Sequence, residues 1–337
     1  MKNATVWVLL ILALGLSVHG AQKSNANSAV EKLDPALDAI VPANAKLEIL
    51  KADYFGNAEG PVWVKQGQAG YLLFADISAN KIYKWAGGAL SVFMERTGYN
   101  SMDTSKLQTA GYVGVYNGRF YPTSFGSNGI TIDPQGRLVW CAQGDRAIIR
   151  LEKDGEKRTV LADHFEGKRL NRPNDLVAKS DGWIYFTDPL SRNPGAAQEL
   201  DSSAVFRVKE PGKVELLDKE VQPNGIAFTA DEKTLYVGGG KIWKYDVKPD
   251  GTLTNRKEFN PIGCDGMKLD KRGNIYCATA QSHGVRVISP EGKHLGTIVG
   301  PEHPHNFAWG DDDGKTLYLC AKTGLYRIRL NVPGIHP

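Results

Sequence analysis

The sequence predicts an all-β chain folded as a six-bladed β-propeller. Three observations carry the prediction: a six-fold internal repeat, a strand-period pattern inside each unit, and chain ends that complete one unit between them. The six units open on Glu59-Gly60-Pro61, Asn128-Gly129-Ile130, Asn174-Asp175-Leu176, Asn224-Gly225-Ile226, Asp265-Gly266-Met267 and Asn306-Phe307-Ala308. Each begins with an oxygen-bearing side chain, usually followed by glycine, and runs into a short apolar stretch. Successive openings are roughly 40 to 50 residues apart, the spacing of a propeller blade; the first interval is longer by about twenty.

A second strand follows in every unit, marked by an aromatic eleven or twelve places after the opening residue: Tyr71, Trp140, Tyr185, Tyr236, Tyr276 and Tyr318. Asp133, Asp270 and Asp311 open the intervening turn in three units. Third strands read as Lys81-Ile82-Tyr83-Lys84-Trp85, Ile148–Leu151, Val205–Val208, Ile242–Tyr245 and Val285–Ile288. Alternating short strands between glycine-bearing turns are antiparallel, four to a blade. The run Gly238-Gly239-Gly240 lies between two of them and reads as a hairpin turn, not a phosphate loop.

The last unit lacks an outer strand after Leu325–Leu330, and Leu47–Tyr54 belongs to no other unit. Pairing these segments closes the ring and removes an exposed sheet edge. The long first interval holds an insertion, Thr97 to Ser124, rich in Gly, Ser, Tyr and Asn, expected as a loop over one face.

The chain has 337 residues, 42% hydrophobic and 23% charged, with 41 basic against 37 acidic side chains. This is ordinary globular composition. No basic stripe is present, which argues against nucleic-acid binding. At the start, Lys2, the apolar run Val6–Leu16 and the small residues near Gly20-Ala21 predict a cleavable signal peptide over residues 1–20. The expectation is an exported, periplasmic or secreted protein, free of the membrane after cleavage and monomeric. Residues 21–46 read as a leader and 47–332 as the propeller. Export makes pairing of the four cysteines a question. Cys141, Cys277 and Cys320 fall in separate units, so buried free thiols are expected rather than disulfides.

Inner strands of a propeller line the central channel, so the side chains that open them converge at one end. Here they are Glu59, Asn128, Asn174, Asn224, Asp265 and Asn306: two carboxylates, four amides, no thiolate and no imidazole. Carboxylates buried together repel unless a cation or protons compensate them. A hard divalent cation with oxygen ligands meets that need: Ca²⁺ first, with Zn²⁺, Mg²⁺ or Mn²⁺ as alternatives. The competing explanation, that Asn-Gly and Asp-Gly are turn chemistry, does not account for Glu59 in the same register.

Glu59-Gly60-Pro61-Val62-Trp63, Arg172-Pro173-Asn174-Asp175-Leu176, Pro223-Asn224-Gly225 and Asp265-Gly266-Met267 resemble the four signatures of the gluconolactonase/SMP-30/regucalcin family. Gly126-Ser127-Asn128-Gly129, Gly167-Lys168-Arg169 and Phe186-Thr187-Asp188-Pro189 are similar to its bacterial exported gluconolactonase branch. The resemblance implies a sugar lactonase in which Glu59, Asn174, Asn224 and Asp265 hold one divalent cation. It also implies that Asp265 serves as the base, and that Arg172 and Asn128 contact a small-molecule lactone. Two departures stand out. Leu190-Ser191-Arg192-Asn193 follows where the branch usually has Pro-Tyr-Gly, and Cys264 precedes Asp265.

Of His303 and His305, which flank Pro304 before the sixth opening, His305 is taken as a further substrate contact. Trp63, Trp140, Trp183, Trp243 and Trp309 fall at strand positions and read as blade core. A Gly-x-Ser-x-Gly elbow and a His-Glu-x-x-His zinc motif are both absent. The alternatives are a hydrolase of the same design acting on other lactones, aryl esters or phosphotriesters, and a non-catalytic propeller with a structural cation.

Overall fold

The computed structural model describes residues 29–335 except 68, 102, 104–112, 117–118, 123–124, 191–197 and 280–281. The segment expected as a signal peptide, the first part of the expected leader, parts of the insertion and Ser191-Arg192-Asn193 lie outside the described residues.

Six four-stranded antiparallel sheets form the blades. Blade 1 is Ala58–Gln66, Ala69–Asp76, Lys81–Ala86 and Ala89–Glu95. Blade 2 is Ser127–Ile132, Leu138–Ala142, Ala147–Leu151 and Arg158–Ala162. Blade 3 is Leu176–Ala178, Ile184–Asp188, Ala204–Val208 and Val214–Asp218. Blade 4 is Pro223–Phe228, Thr234–Gly239, Ile242–Val247 and Leu253–Asn260. Blade 5 is Met267–Leu269, Ile275–Thr279, Gly284–Ile288 and His294–Val299. Blade 6 is Pro304–Gly310, Thr316–Ala321, Leu325–Arg329 and, from the other end of the chain, Glu48–Lys51. That last strand pairs with Leu325–Arg329 and closes the ring, with Glu48 opposite Arg327 and their side chains ion-paired at 2.7 Å.

The leader does more than lead. Val30–Lys32 adds a fifth strand to the outer edge of blade 5, and a short 3-10 helix, Pro35–Ala39, follows. Leu37, Ile40 and Val41 are buried between blades 5 and 6. The packed body therefore begins well before residue 47.

Each pair of neighbouring blades shares its own apolar cluster, so the core is distributed around the ring rather than centred. The second-strand aromatics explain themselves here. Tyr185 packs edge-on against Phe228 of blade 4, Tyr276 against Trp309 of blade 6, and Tyr318 stacks on Trp63 of blade 1. Each covers the inner strand of the next blade, a large apolar burial worth roughly 1.5–3 kcal/mol per side chain.

The cysteines correct one expectation. Cys141 and Cys320 are buried free thiols, but Cys264 and Cys277 form a disulfide within blade 5. Considering Cys277 by its blade interface left out Cys264, which enters the same blade one strand earlier and brings the two Cα atoms to 5.5 Å. That separation is the normal bridging distance.

Candidate functional site

All six opening residues stand at the same end of their inner strands, and the ladder is irregular just there. Register shifts interrupt the pairing beside Glu59, Asn128, Asn224 and Asn306. A bulge bends the strand and re-aims the side chain it carries. In blades 3 and 5 the regular strand starts two residues later. Asn174 and Asp265 are still held to the second strand of their blade, by N–H bonds to the Thr187 and Ala278 carbonyls at 2.8 and 2.9 Å.

The glycines that follow are required by the neighbouring blade, which replaces the turn explanation. A Cβ at Gly60 would lie 2.0 Å from the Asn128 carbonyl oxygen, and one at Gly225 2.3 Å from that of Asp265. At Gly266 it would sit 2.4 Å from Asn306 Cγ. With no Cβ in the way, Gly129 N–H donates to the Asn174 carbonyl, Gly225 N–H to Asp265 and Gly266 N–H to His305, at 2.8 to 3.0 Å. Inter-blade backbone bonds thus tie the converging residues to one another.

Glu59 is buried, and its carboxyl is pushed well above the usual carboxylate range. Desolvation is the main cause, followed by the nearby charge of Asp265; Asp175 adds a smaller push. Asp175 is buried too. Its Oδ1 accepts from Leu176 N–H, while Oδ2 accepts from Asn306 Nδ2 at 3.3 Å and Lys268 Nζ at 3.5 Å. Asp175 therefore both closes its own turn and holds Asn306, whose amide partly offsets the rise at Glu59.

Above this layer opens a polar cavity of about 440 Å³, lined among others by Arg172, Asn224, Asp265 and His303. Below it lies a largely apolar cavity of about 480 Å³ between the inner strands, with Lys268 on its wall.

Arg172 owes its position to Asp188. The buried Asp188 carboxylate accepts Asn171 N–H at 2.8 Å and Arg172 N–H at 2.6 Å. Desolvation raises its pKa to about 7, and those two bonds with Arg146 and Arg172 restrain the rise. Beside Asp265, a ring nitrogen of each of His303 and His305 comes within 4.8 Å of a carboxylate oxygen and of the other. Desolvation, then His303, pushes His305 down to about 3, and His303 is also lowered by burial. Both shifts favour the neutral imidazole.

A family model described as SMP-30/Gluconolactonase/LRE-like region matches residues 57–323, nearly the whole ring. The chain belongs to this family. A gluconolactonase of Zymomonas mobilis subsp. mobilis is 32% identical over 93% of this chain and 90% of its own length. Regucalcin of Sus scrofa is 24% identical over 84% of this chain and 89% of its own. The solved structure of a gluconolactonase from Xanthomonas campestris matches with a TM-score of 0.73 at 28% identity. The match covers 89% of this chain and 94% of that one.

Of the residues singled out by the sequence, this SMP-30/gluconolactonase-family chain brings Arg172, Asn224 and Asp265 to one cavity, with Glu59 within electrostatic reach of Asp265. Asn128 and Asn174 meet it through the inter-blade backbone contacts. The donor set fits a hard cation: Glu59 and Asp265 raise each other's energy when both are ionised, and the buried Asn128 Oδ1 has no hydrogen-bond partner. Sequence reasoning missed Lys268 and Asp188 as parts of the site and left His303 out of it. For His303 and His305 the signal was available, since an i, i+2 spacing on an extended strand places both rings on one side.

Proposed function

We propose that this chain is a divalent-cation-dependent lactonase that opens sugar lactones of the gluconolactone type to the hydroxy acid. One observation carries the reading. Two carboxylates, the buried Glu59 and the half-buried Asp265, interact at the end of the channel, inside a ring of amide side chains and beside a polar cavity of sugar size. Membership of a family with lactonases in it agrees with this use of the site.

Glu59, Asn174, Asn224 and Asp265 would hold the cation, with Ca²⁺ the first choice because every donor is oxygen. When bound, such a cation supplies charge compensation for the carboxylates and electrophilic help to a carbonyl oxygen. Asp265, ionised, takes the proton of the water that adds to the lactone carbonyl. Arg172 directs its fork of donors into the cavity, where it meets substrate oxygens and the charge that grows on them. Asn128 and His305 are the further substrate contacts. Collapse of the tetrahedral adduct breaks the ring C–O bond, and the released alkoxide regains a proton.

The test is acid release from D-glucono-δ-lactone in weak buffer, corrected for spontaneous hydrolysis. It is run on purified protein, after chelation, and after return of Ca²⁺, Mg²⁺, Mn²⁺ or Zn²⁺. Acceleration that disappears on chelation and returns with a cation is expected. Folded protein that accelerates nothing with any cation refutes the reading. Export rests on the leader sequence alone, and an N-terminus at Ala21 in the exported protein is the outcome that agrees with it.

A further inference from the structure

We infer that Asp265, His303 and His305 form a second metal site, selective for a transition-metal ion such as Zn²⁺, which competes with the oxygen-donor site for Asp265. The three ligand atoms already lie within 4.8 Å of one another. Around a tetrahedral Zn²⁺ with bonds of about 2.0–2.1 Å they would stand about 3.3 Å apart, so a contraction of at most about 1.5 Å completes the set. Rotation of the side chains supplies that movement.

The backbone that carries them is held still. Gly266 N–H donates to the His305 carbonyl at 2.8 Å, fixing the strand of Asp265 against that of His305. The Cys264–Cys277 disulfide pins the residue before Asp265 from the other side. The i, i+2 spacing of the two histidines about Pro304 puts both rings on one side of the extended backbone, with centroids 5.0 Å apart. His303 Nδ1 is buried and has no hydrogen-bond partner. An orphaned ring nitrogen beside a carboxylate is an open position for a metal. His303 and Asp265 both line the polar cavity, which supplies an entry path and room for water as a fourth ligand.

Ligand chemistry separates the two sites. Glu59, Asn174 and Asn224 offer only oxygen and suit a hard cation, whereas two imidazoles favour Zn²⁺, Ni²⁺ or Cu²⁺. Asp265 is common to both. A transition metal on the imidazole pair withdraws Asp265 from proton transfer and from the hard cation, so turnover falls. That consequence for turnover rests on the lactonase reading; the binding does not.

The experiment is a crossed titration of chelator-stripped protein. Zn²⁺ affinity is measured by competition with a chromogenic chelator, and Ca²⁺ affinity by calorimetry. The proteins are wild type, the double variant His303→Gln/His305→Gln, and Glu59→Gln, each verified as folded by circular dichroism. Loss of a single outer-shell partner commonly weakens a metal site 10- to 100-fold, so loss of both imidazoles is expected to weaken Zn²⁺ by about a hundredfold or more. The double variant keeps Ca²⁺ affinity within a few-fold of wild type, and Glu59→Gln shows the reverse pattern. Zn²⁺ affinity unchanged in the histidine variant, or lost chiefly in Glu59→Gln, overturns the inference. Both readouts are binding constants, so they stand even if the protein hydrolyses no lactone. In protein that does turn over, Zn²⁺ added over saturating Ca²⁺ inhibits wild type, and absence of inhibition at Zn²⁺ occupancy removes the regulatory consequence.

Discussion

Opening the Cys264–Cys277 bridge should destabilise the propeller measurably and loosen Asp265. The bridge closes a short loop, with a sequence separation of 13. Loop-closure entropy for that length gives about 3 kcal/mol at 25 °C, mainly by restricting the unfolded chain. Unfolding entropy near 2.1 cal/mol/K per residue, over roughly 300 packed residues, converts this to a fall in Tm of about 5 °C. The local effect is more specific. Cys264 precedes Asp265, and Cys277 precedes Ala278, whose carbonyl accepts Asp265 N–H at 2.9 Å. Reduction frees both flanks of that bond, so kcat for lactone should fall with KM little changed. The assay is calorimetry and turnover on oxidised protein, reduced protein and Cys264→Ala/Cys277→Ala. Thiols are counted in denaturant, with two expected before reduction (Cys141 and Cys320) and four after. Four thiols in oxidised protein, or a Tm shift below about 1 °C on reduction, would refute the reasoning.

Three further outcomes are expected. Asp265→Asn should lower turnover by about a hundredfold or more. Under chelation it should raise stability, because the repulsion of Glu59 is removed; thermal melts with and without Ca²⁺ check both signs. Gly225→Ala puts a Cβ 2.3 Å from the Asp265 carbonyl oxygen, so it should cost about 1–3 kcal/mol and weaken Ca²⁺, read by denaturant melts and calorimetry. Asp188 titrates near 7 in the fold against 3.8 as a model carboxyl, so the folded state holds its proton more tightly than the unfolded chain does. Its ionisation penalty is absent below about pH 4, grows between about 4 and 7 to roughly 4 kcal/mol, and stays constant above. Stability should therefore fall across that window, and Asp188→Asn should flatten the slope while raising KM, because one of the two N–H groups at Asn171 and Arg172 loses its acceptor.

Lys268 illustrates why part of the site was illegible in sequence. It sits three places after Asp265 with nothing around it to mark a role, yet its ammonium reaches Asp175 of a blade on another side of the channel. Asp188 appeared as part of a motif, but its use as a double acceptor for the Arg172 segment depends on how one loop folds over another. The same holds for Val30–Lys32, whose edge-strand partner lies at the far end of the chain in sequence.

The sequence by itself determined the architecture and the identity of the converging residues. A propeller repeats one local unit, and both the strand alternation and the opening Glu, Asn or Asp recur within each unit at a readable spacing. The glycine after them was readable too, although its full reason was not: at Gly225 and Gly266 it is the approach of the next blade, and at Gly60 that approach acts together with a left-handed backbone. Only the tertiary structure decided the Cys264–Cys277 bridge, the ammonium beside Asp175, the loop clamp on Arg172 and the meeting of Asp265 with two imidazoles. Those depend on distances across a closed ring between residues far apart in the chain. A ring fixes such distances only when its last strand pairs with its first.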